Sequence, residues 1–162
     1  MKQIKFLLVV CAILMTTFFG FSQEKYKHVG FTDSDIKNYI KNLENIKQDV
    51  DKLGTDINSS STVANLALYN DKTILNKLNG ICNKHGISGG NALEKFLMIS
   101  TYAPIVVAQY MVDSDPQVAI QFAAIGVDPI ATYRGLIDEA DYLVIYKHAS
   151  DLKKLFSDSD EE

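Results

Sequence analysis

Cysteine is nearly missing from this chain. The 162 residues carry two, Cys11 and Cys82. Cys11 falls in an apolar N-terminal run that reads as an export signal, so one cysteine remains after processing and no internal disulfide can form. An exported domain without disulfides must hold itself together by its core. Basic charge is also scarce, with 16 Lys plus Arg against 20 Asp plus Glu and a formal net charge of -4. Loss of Lys2 and Lys5 with the signal takes that to -6. So acidic a chain is a poor match for nucleic acid, whose phosphates need a basic patch, or for anionic lipid.

Catalytic motifs are absent as well. There is no Gly-x-Ser-x-Gly and no phosphate-binding glycine loop. The three histidines, His28, His85 and His148, are far apart in sequence. They read as a leader residue, a helix-end residue and a surface residue. Asp33, Asp35 and Glu44 occupy positions one, three and twelve of a calcium-loop template, but Lys37 and Asn38 stand where it wants an oxygen ligand and a glycine. No metal and no cofactor are expected. Cys82 shares the apolar register of Leu78 and Ile81 and reads as a buried small hydrophobe. The acid clusters Asp113/Asp115 and Asp138/Glu139/Asp141 coincide with helix starts, where the macrodipole favours them.

What is present is an apolar helix. From Phe96 to Val112 the chain has 17 residues without a charge. Asn91 or Ser88 is expected to cap it, after a joint at Ser88, Gly89 and Gly90. Pro104 lies inside it and is expected to kink or divide it, since proline lacks the N–H and crowds the preceding turn. Tyr102, Gln109 and Asp113 fall at i, i+7 and i+11, a polar stripe on one face. The run is marginal for a membrane span, and Pro104, Gln109 and Tyr110 interrupt it, so it reads as the core of a soluble bundle.

The rest of the chain is punctuated like a set of helices. Met1–Ser22 has the basic, apolar and small-residue regions of a secretory signal peptide, with Gln23 the first mature residue. Residues 23–30 read as a loose leader. Thr32 or Asp33 caps a helix whose apolar face is Ile36, Tyr39, Ile40, Leu43, Ile46, Val50 and Leu53, with Phe31 placed to staple onto Ile36 and Gly54 as its stop. A polar loop follows. A second helix, or two short ones parted at Asn70-Asp71, starts after Thr62 and closes at His85-Gly86. Asp115-Pro116 and Asp128-Pro129 each place a capping acid before a proline at the first helical position. Asp138 to Asp141 opens a last helix through Tyr142–Tyr146 to Phe156. The strand-like composition of that segment is set aside, because no second strand is available to pair with it. Residues 157–162 form an acidic tail.

The expected fold is therefore all-α, an irregular bundle of about five to six helices around a kinked apolar central helix, spanning residues 31–156. The expected function is a non-enzymatic interaction module, exported to the periplasm or the exterior, with a protein partner. The alternative is a carrier of a small hydrophobic ligand held between helices near Pro104, with Tyr102, Gln109 and Tyr110 as ligand-binding candidates. An enzymatic role would require His85 to meet an acid in a cleft. No stable membrane span is expected once the signal is removed.

Overall fold

A computed structural model describes residues 28–53, 72–124 and 133–158. Among them are six helices and no strand: α1 Asp33–Asp51, α2 Lys72–Lys84, α3 Ala92–Ser114, α4 Pro116–Ala124, α5 Glu139–Tyr146 and α6 Ala149–Asp158. The protein is an all-α bundle with its helices packed against the apolar α3. The signal peptide, residues 23–27 of the leader, the Gly54 stop, the loop and helix start around Thr62, the Asn70-Asp71 break, the Asp128-Pro129 cap and residues 159–162 lie outside the described residues.

The chain divides into two compact units. Phe31–Ile99 forms one; the segment up to Gly30 and Ser100–Glu162 form the other. α3 is continuous across the division, giving its first two turns to one unit and the remainder to the other.

In the Phe31–Ile99 unit, α1 is set by its cap. Thr32 is extended, its hydroxyl accepts the Asp35 N–H at 3.1 Å, and Asp35 returns the bond to the Thr32 N–H at 2.9 Å. This capping box uses aspartate where glutamate is usual. Phe31 and Ile36, the two ends of the expected staple, are both buried. Ile36, Tyr39, Leu43, Ile46 and Val50 form the buried stripe against α2, whose buried residues are Leu78 and Cys82. Ile87, Ala92 and Ile99 complete the core, and the Tyr39 and Phe96 rings meet at 5.4 Å.

α2 ends where His85-Gly86 predicts. Gly86 has φ +86°, its N–H bonds Asn83 O at 2.9 Å, and the Ile87 N–H bonds Cys82 O at 3.0 Å. Those are the two bonds of a Schellman motif, with Ile87 buried beside Cys82 as the accompanying apolar contact. The start of α3 is capped across the unit. Asn91 O accepts the Lys95 N–H, as a cap carbonyl does, while the Leu93 N–H goes to Asn79 Oδ1 on α2 at 3.0 Å.

In the Ser100–Glu162 unit, residues 102–108 of α3 are buried on every side. A helix apolar all round must be covered all round. α3 is the one helix among the described residues long and apolar enough to cross a membrane by length and composition, yet half of its most apolar stretch is buried within the fold. Pro104 lies inside α3, which continues through it as one element and does not divide there. Asp115 caps α4 through the Gln117 N–H at 2.9 Å, with Pro116 at the first helical position. Asp138 caps α5 through the Ala140 N–H at 2.9 Å. The segment Tyr142–Tyr146 is helical. The expected single last helix is two, parted at Lys147-His148, where His148 O takes the Asp151 and Leu152 N–H groups and starts α6. His148, expected at the surface, is buried.

Candidate functional site

The three residues singled out in the apolar helix separate by depth. Tyr102 is fully buried in the core. Gln109 and Tyr110, two turns on, are half-buried at the edge of the same unit. There they join a cluster in which the sequence reading had placed only Asp113. Gln109 Nε2 donates to Asp113 Oδ1 at 2.7 Å, and the Tyr146 hydroxyl donates to Asp113 Oδ2 at 2.7 Å. The Tyr110 ring meets Tyr146 edge-on at 5.9 Å between centroids, and Tyr146 stacks on Tyr142 at 5.5 Å. The guanidinium of Arg134, the single arginine of the chain, lies 3.4 Å over the Tyr142 ring and pairs with Glu139.

Helix geometry explains the assembly. Gln109 and Asp113 stand four residues apart on α3, as do Tyr142 and Tyr146 on α5, so each pair shares a helix face. The turn before Asp138 carries Arg134 back over α5. The result is a row of three tyrosines flanked by an arginine and a carboxylate, in which Tyr110 and Tyr146 are half-buried and Tyr142 is buried beneath Arg134, with Leu143 56% exposed next to it on α5. Its electrostatics are distinctive. The bond to Asp113 holds the proton on Tyr146, and with burial and the nearby Asp113 charge pushes the phenol up to about 12. Burial raises Tyr142 too, against the opposing pull of Arg134. Tyr142, Tyr146 and Arg134 escaped the sequence reading because they lie twenty or more residues beyond the end of α3. Their one sequence signal was the i, i+4 tyrosine pair in a segment otherwise read for its apolar content.

A second cluster brings His85 to an acid. His85 Nε2 lies 2.9 Å from Asp49 Oδ2. That carboxylate also takes Lys84 at 2.7 Å and Lys52 at 2.8 Å, and these cations with His85 hold it well below the usual carboxylate range. The nearest thiol, Cys82, is buried and pushed up to about 12 by that burial, so it is no nucleophile at neutral pH. The arrangement fits a pin between α1 and the end of α2 better than a catalytic pair. Asn38 Nδ2 donates to Gly86 O at 2.9 Å and Asn42 Nδ2 to His85 O at 3.0 Å along the same face of α1.

Asp33, Asp35 and Glu44 lie on helix α1, not in a coordinating loop. Asp35 is fully buried and bonded to Thr32, to the Ser88 N–H at 3.1 Å and to Lys95 Nζ at 2.8 Å. Lys95, also buried, had given no signal in the sequence beyond a charge at a helix start.

An open groove of about 430 Å³ runs along α2 and the first turns of α3, lined by Leu75, Leu93, Leu97 and Met98 with Asn76 and Asn79. None of Tyr102, Pro104, Gln109 or Tyr110 lines it. Comparison with protein-family models, with curated proteins and with solved structures finds no match to this chain.

Proposed function

We propose that this protein is an exported, non-enzymatic interaction module that docks a protein partner on the Tyr110–Tyr146–Tyr142–Arg134 face. The observation that carries the reading is the composition of that row, in which Tyr110, Tyr146 and Arg134 are partly exposed around the buried Tyr142. Tyrosine and arginine are the residue types that dominate binding energy at protein interfaces, because they give large contact areas with few rotatable bonds and a polar tip. Here each is held in place before any partner arrives, by ring stacking, by Asp113 or by Glu139, which lowers the ordering cost of docking. The acidic balance of the chain fits a partner other than nucleic acid. The burial of residues 102–108 fits a soluble bundle after signal removal, periplasmic or secreted.

A carrier of a small hydrophobic ligand is the second reading, and the groove beside Leu93 and Leu97 is what favours it. Mass spectrometry on the exported fraction separates the two. We expect a denatured mass that begins at Gln23 and a native mass with no small molecule attached. Extra mass lost on denaturing puts the carrier reading first, and a full-length denatured mass returns the apolar N-terminus as an anchor.

A further inference from the structure

We propose that His28, Asp138 and Asp141 form a binding site for a first-row divalent cation of the zinc type, which fastens the segment before α1 to the start of α5. His28 stands 110 positions before Asp138, and the fold gathers one ligand atom from each of the three residues within 4.8 Å of the others. His28 Nδ1 lies 3.1 Å from Asp138 Oδ1 and 3.3 Å from Asp141 Oδ2. With metal–ligand bonds of about 2.1 Å, neighbouring ligand atoms stand roughly 3.0 Å apart around an octahedral ion and roughly 3.4 Å apart around a tetrahedral one. Both measured separations fall in that interval.

The inner ligand is already oriented. Asp141 is 1% exposed, and its two oxygens accept the backbone N–H groups of Val29 at 2.6 Å and Gly30 at 3.0 Å. Amide donors of this kind fix a ligating carboxylate from behind. Asp138 Oδ1 likewise accepts the Ala140 N–H at 2.9 Å. Access is open from outside, since the His28 side chain is 56% exposed and that of Asp138 38%.

The donor set selects among ions. One imidazole with two carboxylates suits zinc and its first-row neighbours, whereas calcium and magnesium take all-oxygen shells. Two carboxylates and a neutral imidazole match the dication in charge. Three protein ligands leave coordination positions for solvent.

Titration calorimetry of tag-free protein with zinc chloride tests the site. The expected result is one saturable zinc per chain, weakened at least tenfold in His28→Ala and in Asp138→Asn, and unchanged in His85→Ala. His28 and Asp138 are exposed enough for both variants to fold, which far-ultraviolet circular dichroism checks. Asp141→Asn is avoided, because it disturbs a buried group. Absence of saturable zinc binding, or zinc binding that persists in folded His28→Ala, overturns the proposal.

Discussion

Lys95 and Asp35 show how much one charge can matter in this fold. Both are buried, and Asp35 is satisfied by four donors: the Thr32 N–H and hydroxyl, the Ser88 N–H and the Lys95 ammonium. Removing one member strands the other in the interior, so Lys95→Ala is expected to cost about 3–5 kcal/mol in urea unfolding. Lys47→Ala, which breaks an exposed i, i+3 pair with Glu44, is expected to stay within about 0.5 kcal/mol. Burial alone would raise the Asp35 carboxyl, but Lys95, Thr32 and Ser88 outweigh it and lower it. A carboxylate lowered on folding stabilises above its unfolded value, and the contribution disappears as pH falls through the folded one. Tyr146 works in the opposite direction. Its phenol is harder to ionise in the folded state, so once the unfolded tyrosine begins to lose its proton near pH 10 the unfolded state gains. Stability should therefore fall between about pH 10 and the folded value of about 12. A spectrophotometric titration should show Tyr146 ionising late, and Asp113→Asn should bring it back toward the ordinary value. Of these residues the sequence marked Asp35 and Asp113, as acids in helix patterns, but not the groups they hold. A partner 60 residues away leaves no trace in local spacing.

At the scale of the element, the rules that read best were those with local causes. The Thr32 cap, the Asp115-Pro116 start and the Gly86 stop each depend on a few neighbouring residues. Gly86 has a second reason to be glycine that no local rule shows: a Cβ there would fall 2.6 Å from Asn38 Nδ2. Gly86→Ala is expected to cost about 1–2 kcal/mol from the left-handed backbone alone, and more as Asn38 releases the Gly86 carbonyl. Gly80, on the same helix, has nothing within 4 Å of its Cβ position. Gly80→Ala should instead stabilise by about 0.5–1 kcal/mol. The pair, measured by denaturant unfolding, separates the conformational demand at the helix end from simple helix propensity. Where the reading and the structure part, tertiary packing is the cause. The last helix divides at Lys147-His148 although its composition offers no glycine or proline there. α3 continues through Pro104 because residues on both sides are buried and held by the core, which outweighs the local tendency to break. His148 is buried for the same kind of reason, since its place is decided by what packs over the turn.

The chain is acidic overall, α3 gives apolar residues to the core of each of its two units, and a tyrosine row is ordered at the edge of one of them. The all-α class was legible because helix caps, stops and periodicity agree along the chain. The proposed docking face was legible only in Gln109, Tyr110 and Asp113, because it is assembled from two helices and a turn. The most direct measurement of the central claim places a photo-crosslinking residue at Leu143, beside Tyr142 and Tyr146, and in a second sample at Glu44 on α1 in the other unit. Both positions are exposed. The account predicts that position 143 captures one discrete protein in the exported compartment, that position 44 does not, and that Tyr146→Ala or Arg134→Ala abolishes the capture while the helix content is kept. Equal capture from both positions, or capture at 143 that survives both substitutions, would contradict it.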